Sequence, residues 1–200
     1  MRRLALIAIF APLLTPVTPS QAAYANVGVV TSNLLLYYDT ANPSGYSSPT
    51  LTDLSGNGKS GTVTNAGTTP SYQSGNGTYL NFTGTTTSSG GYVDIPDIYS
   101  ASNWTGMTIS FYANFGSNQD QFERIMDFGR GAGVDNIEVG RDFTTNALFV
   151  EVWSNSTSGG YCRSGTGSVN TNVSGNSVIG TNTWDHWAIT IGSGYCTVYK

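Results

Sequence analysis

From Met107 to Phe115 the chain alternates: Met107, Ile109, Phe111, Ala113 and Phe115 are apolar, and Thr108, Ser110, Tyr112 and Asn114 fall between them. Successive side chains of a strand point to opposite faces, so this period of two predicts a strand with one face on a core and the other toward water. Gly116 to Gln121 make a polar connection, and Phe122 to Phe128 return as a second strand that carries Arg124 and Asp127 near the sheet. The Gly129 to Gly133 run can turn tightly, because glycine takes up positive φ at no steric cost, and Ile137 and Val139 begin a third strand. Together they predict an antiparallel β-meander at the centre of a sandwich.

The same signal recurs on either side. Asn33 to Asp39 is continuously apolar, as a strand covered on both faces would be, and Tyr79 to Phe82 and Tyr92 to Ile95 are short strands. Asn146 to Trp153 sets Leu148, Val150 and Val152 against Phe149, Glu151 and Trp153; with the aliphatics on the core, Phe149 and Trp153 lie on the opposite face. Residues 154 to 182 are rich in Ser, Gly, Asn and Thr and predict long loops, with weak strands at most around Tyr161 and Val169. Thr183 to Ile191 restores a strand with Trp187, Ile189 and Ile191 on one face, and Tyr195 to Lys200 follows across a Gly-Ser-Gly turn. An apolar strand at the end of the chain leaves an open edge of the kind proteins normally cover or charge. The expectation is therefore a domain truncated at its C-terminus, lacking one or two closing strands.

Composition sharpens the fold class. With 25 glycines and 12 tyrosines in 200 residues, and only 10% charged residues, the chain suits an all-β domain and not a helical one. The net charge of −4 and the lack of any basic run exclude a nucleic-acid surface, which needs clustered Lys and Arg. Residues 1–25 carry Arg2 and Arg3, an apolar run from Leu4 to Leu14, and small residues before a cut after Ala22 or Ala25; they read as a secretory signal peptide ahead of one domain at 26–200. The run is interrupted by Pro12 and Pro16 and falls short of the ~20 apolar residues a spanning helix needs, so no membrane insertion is expected. Loss of Arg2 and Arg3 from eight basic residues leaves six against twelve acidic ones. In an oxidising compartment Cys162 and Cys196 are expected to pair, which would contribute about 3 kcal/mol through the unfolded state; free thiols are the alternative.

Candidate chemistry is sparse. Asp53, Ser55 and Asn57 alternate in TDLSGNGKSG, but the twelfth position of an EF-hand loop counted from Asp53 is Thr64 where a glutamate is needed, so a turn bonded to its own backbone explains them better. Asp94 and Asp97 bracket Pro96 at a strand end, where loop carboxylates can be metal ligands, but solvated turn residues explain them better. His186 is the only histidine, and Asp185 beside it on a strand points to the other face and cannot orient it, so it reads as structural and neither a triad nor a zinc site is supported. Binding chemistry needs aromatic faces to stack on sugar rings and amide, carboxylate or guanidinium groups for hydroxyls. Tyr112, Arg124, Asn136 and Trp153 are the candidates for ligand contact, with Asp127 beside them. Asp127, Asp135 and Asn136 are candidates for calcium, which takes carboxylate and amide oxygens.

The segments DLSGNGKSGTV (Asp53 to Val63), YLNFTG and GGYVDI (Tyr79 to Gly84, Gly90 to Ile95), MTISFYANF (Met107 to Phe115), ERIMDFGRGAGVDNIEV (Glu123 to Val139) and TWDHWAITIGSGYCTVYK resemble, in order and spacing, a laminin G-like domain of the concanavalin A-like lectin/glucanase superfamily. The resemblance covers roughly residues 34 to 200 and implies a jelly-roll sandwich of two antiparallel sheets, with a curved face and loop rim that bind glycans, proteins or calcium. It also implies a Tyr-x-Asn-Gly turn after the last strand, of which only Tyr199 and Lys200 are present. Retaining glucanases similar to this fold carry Glu-x-Asp-x-x-Glu, and the glutamates Glu123, Glu138 and Glu151 each lack an acidic residue two positions away. Hydrolysis needs two carboxyl groups ~5 Å or ~6.5–9.5 Å apart, whereas Glu138 and Asp142 would stand ~13 Å apart on a straight strand. The expected function is a secreted, non-catalytic recognition module for carbohydrate or extracellular protein, as part of a larger surface protein. A ligand-free adhesive stalk, and then a glucanase, are the alternatives.

Overall fold

In the computed structural model the described residues are 2–8, 32–65, 70–74, 77–83, 90–98, 106–117, 123–129, 136–142, 145–154, 157–163, 171–173, 179–192 and 195–200. They form strands and turns, with no helix among them. The strands in chain order are β1 (Arg2–Ala8), β2 (Tyr37–Asp39), β3 (Tyr46–Ser47), β4 (Thr50–Leu51), β5 (Gly61–Thr64), β6 (Ser71–Gln73), β7 (Tyr79–Phe82), β8 (Tyr92–Asp94), β9 (Gly106–Asn114), β10 (Arg124–Phe128), β11 (Ile137–Arg141), β12 (Leu148–Ser154), β13 (Thr157–Arg163), β14 (Thr171–Val173), β15 (Trp184–Gly192) and β16 (Tyr195–Tyr199). Three sheets result. The largest runs β14-β16-β15-β9-β1-β7-β6, with β2 also on β1; the others run β10-β11-β12-β13 and β3-β4-β5-β8. Every pairing between named strands is antiparallel except β14 on β16.

The alternation read in the sequence sets the core. Ile109, Phe111 and Ala113 of β9 are buried, as are Trp187 and Ile189 of β15, and they share one cluster with Met126, Val139, Leu148 and Val150 of the four-stranded β10–β13 sheet. Burying each of the larger apolar side chains contributes about 1.5–3 kcal/mol. β9 and β15 pair along nine residues, from Trp184 opposite Asn114 to Gly192 opposite Gly106, and form the longest ladder among the described residues.

The central meander is corrected. β9 does not pair with β10: the chain leaves one sheet after Asn114 and enters another at Arg124, and the meander is β10-β11-β12-β13. Placing the strands in different sheets lets Phe111 and Val139 share a core. The long loops expected over 154 to 182 are corrected in part: Thr157–Arg163, which contains Tyr161 where a weak strand was expected, pairs with β12, and Thr171–Val173 pairs with β16, while Val169 lies outside the described residues. These strands rest on backbone ladders, which Ser, Thr and Gly can make without an apolar pattern. Cys196 of β16 is disulfide-bonded, and Cys162 of β13 is the only other cysteine. Arg2–Ala8, expected to be part of a leader, stands in the middle of the large sheet as β1; the two expected cleavage points lie outside the described residues.

The DLSGNG segment folds as a turn. Asp53 accepts backbone N–H bonds from Ser55 at 2.9 Å and Tyr37 at 3.2 Å on Oδ1, and from Lys59 at 2.9 Å on Oδ2. Burial alone would raise its pKa, but these bonds outweigh burial and hold the carboxyl below its ordinary value. Asn57 works differently from the expectation: its side-chain amide reaches across to the carbonyls of Leu34 and Leu35, at 2.7 and 3.1 Å, and ties the turn to the irregular segment that leads into β2.

Candidate functional site

Two outward faces carry the chemistry, on opposite sides of the core. The first belongs to β10, β11 and β12. Since Met126, Val139 and Val150 face inward, their neighbours Asp127, Glu138, Phe149 and Glu151 face outward, with Arg124 opposite Gly140 on the same side. Arg124 and Asp127 form an ion pair at 3.3 Å, and Arg124 reaches Glu138 at 3.0 Å. The Asn136 amide nitrogen donates to Asp127 Oδ1 at 3.2 Å and to Glu138 Oε1 at 3.0 Å. Gly129 makes room for this: a Cβ there would lie 2.3 Å from Cγ and Oδ1 of Asn136. Phe149, only 2% exposed, lies 5.8 Å beneath the Arg124 guanidinium, and Trp153 is half-buried farther along β12.

The sequence candidates Arg124, Asp127, Asn136 and Trp153 are thus on one face, but the first three bind one another. Of the calcium candidates, Asp127 and Asn136 are engaged with protein groups: the amide nitrogen of Asn136 donates to Asp127 Oδ1, and the Arg124 guanidinium pairs with Asp127 Oδ2. Asp135 lies outside the described residues. Among the described residues no group of three or more His, Cys, Asp or Glu converges as a metal set. A feature that spacing along one strand could not show is the ladder Asp127, Glu138, Glu151, each directly opposite the next across β10, β11 and β12. Opposite residues lie about 4.5–5.5 Å apart at Cα, yet Glu138 is buried and compensated by Arg124 and Asn136.

The second face belongs to β9, β15 and β7, and Tyr112 lies here, away from the other ligand candidates. With Phe111 and Trp187 pointing into the core, Tyr112, Trp184 and His186 point out. His186 stands directly opposite Tyr112, their rings stacked at 4.6 Å and 28°. His186 Nε2 and Ser110 Oγ share a hydrogen bond of 2.8 Å, and burial holds the imidazole below its ordinary pKa. Trp184 meets Tyr79 edge to face at 5.3 Å, from β15 across to β7. Tyr112 remains 42% exposed and Trp184 37%. Asp185 takes no part: it points the other way, accepting from the Gly180 N–H at 3.0 Å and pairing with Lys200 at 2.9 Å.

Trp184, His186 and Tyr79 were missed as ligand candidates. The parity of Trp187, Ile189 and Ile191 already implies that Trp184 and His186 face outward. That His186 meets Tyr112 depends on the β9–β15 register, which no local signal carries. No protein-family model, curated protein or solved structure matches the chain.

Proposed function

We propose that the chain is a laminin G-like, concanavalin A-like jelly-roll sandwich, exported and non-catalytic, that binds carbohydrate through the Tyr112, His186, Trp184 and Tyr79 face. One observation carries this reading: two ring pairs lie on one sheet face with Tyr112 and Trp184 still open to solvent. Exposed, laterally supported rings offer the apolar surface on which a sugar ring stacks, and the Tyr112 hydroxyl and the His186–Ser110 pair supply polar partners for its hydroxyls. The pairing of Arg124 with Asp127 and Glu138 favours a structural role for the opposite face.

A glycan array probed with the intact chain tests the proposal. Binding is expected to fall by about tenfold or more in Tyr112→Ala and in Trp184→Ala, equal to ~1.4 kcal/mol each. No binding above background by the intact chain would overturn it in favour of a spacer or a protein-binding module. Release of reducing ends from β-glucans, abolished by Glu138→Gln, would instead support hydrolysis on the carboxylate ladder.

A further inference from the structure

One imidazole stands inside the exposed ring face. His186 lies opposite Tyr112 across the β9–β15 ladder, stacked on it at 4.6 Å, and its Nε2 shares a hydrogen bond of 2.8 Å with Ser110 Oγ. Ser110 is buried, so the inner edge of the imidazole rests on a covered hydroxyl, whereas the ring keeps an outer surface in water beside exposed Tyr112. The neighbours on this face are hydroxyl, amide, phenol and indole groups. β9 presents Ser110, Tyr112 and Asn114, β15 presents Trp184, β7 presents Tyr79, and β16 brings Tyr199 opposite Ala188. Asp185 and Lys200 lie on the other side of the sheet and pair with each other at 2.9 Å. Among the described residues His186 has no carboxylate partner. Beyond β9, β1 sets Leu6 opposite Tyr112 and Arg3 opposite Asn114, and a cation in that strand works against a second positive charge on His186.

We propose that His186, held by Ser110, is the positioning residue of the Tyr112 platform and makes carbohydrate binding fall on acidification. The proposal rests on the carbohydrate reading of this face. Neutral imidazole suits the position: its ring backs Tyr112, and Nε2 can donate to or accept from the Ser110 hydroxyl, which serves in either role. A sugar ring laid on Tyr112 covers the adjoining outer surface of the imidazole and removes the water left there. Burial disfavours the charged form of histidine, and no carboxylate on this face compensates for that loss. Burial already holds the imidazole of the free site below its ordinary 6.5, and a bound sugar pushes it lower. Linkage then gives the sign. A ligand that lowers a group's pKa binds the protonated protein more weakly by the same factor. Affinity is therefore full above the free-site pKa and falls as the pH drops from there toward the value in the complex.

To test this, the full chain and His186→Gln are titrated on one immobilised-glycan array at pH 7.5 and pH 5.0, with urea midpoints at both pH values to establish that each is folded. For glycans retained at pH 7.5, the half-saturating concentration of the intact chain is expected to rise about tenfold at pH 5.0. The glutamine amide can bond Ser110 but does not titrate, so His186→Gln should change by less than about twofold between the two pH values, whatever its affinity at pH 7.5. His186 is the only histidine, so its Cε1–H NMR signal follows it in the intact chain without any variant. Its pKa, measured free and with the glycan best retained on the array, should fall on binding. Three results overturn the proposal and leave the carbohydrate reading standing: equal binding by the intact chain at both pH values, an equal loss in His186→Gln, or an imidazole pKa that the glycan leaves unchanged or raises. No glycan retained at pH 7.5 sinks that reading and the proposal with it.

Discussion

The two outer faces of this molecule hold different residue types, charged and amide groups on one and aromatic rings on the other, and engage them to different extents. On β10–β12, Arg124, Asp127, Asn136 and Glu138 bond one another over an inner Phe149, so their polarity is consumed in holding strands together. On β9 and β15, Tyr112 and Trp184 are steadied by His186 and Tyr79 but left open. The difference lies in what contact with a neighbour leaves open: the ion pairs and amide bonds of the first face engage its polar groups, whereas paired rings on the second still present exposed surface.

The largest effect should come from behind the closed face. Arg141, fully buried on the inward side of β11, pairs with buried Glu123 at 3.2 Å, donates to the Gly116 carbonyl at 3.0 Å and lies 5.2 Å from the Phe115 ring centroid. Arg141→Ala leaves Glu123 charged in the interior and should cost about 3–5 kcal/mol, read as a lowered urea midpoint. On the closed face itself, Gly129→Ala drives a methyl into Asn136 and should cost about 1–3 kcal/mol without changing any exposed group. Removing the Asp53 carboxylate by Asp53→Ala leaves the N–H groups of Tyr37, Ser55 and Lys59 without that acceptor and should cost about 1–3 kcal/mol. Tyr112→Ala and Trp184→Ala, by contrast, should change stability by less than about 1 kcal/mol, because both rings are already exposed.

The smallest effect expected is on pH dependence. His186 has a folded pKa below its ordinary 6.5, so on acidification the unfolded chain takes up the proton first. Its contribution is complete above pH 6.5 and is lost as the pH falls from there to the lowered folded value. Asp53, also lowered, keeps its contribution above its ordinary 3.8 and loses it as the pH falls through its folded value. Urea titrations of His186→Gln should show a flatter stability profile just below pH 6.5, with the steeper loss near pH 4 unchanged.

Much of the fold was legible because period-two alternation is local. It placed β9, β12 and β15 and the inward sets Ile109, Phe111, Ala113 and Trp187, Ile189. What alternation cannot carry is which strand lies beside which. It put β9 next to β10, and it could not foresee Tyr112 against His186 or the carboxylate ladder across three strands. Strand β13 was read only as a weak strand around Tyr161 and β14 was not placed, because segments rich in Ser, Thr, Gly and Asn carry little alternation while their backbone can still form a ladder. At the candidate site, residue type found Tyr112 but also Arg124 and Asn136, since one-dimensional spacing does not reveal that donors are already engaged.

The most direct test compares the glycan affinities of Tyr112→Ala and Arg124→Ala by titration against a glycan retained by the intact chain. The account predicts a loss of about tenfold or more for Tyr112→Ala and an affinity within about twofold of the intact chain for Arg124→Ala. Undiminished binding by Tyr112→Ala together with a tenfold loss in Arg124→Ala would contradict it and move the site to the opposite face.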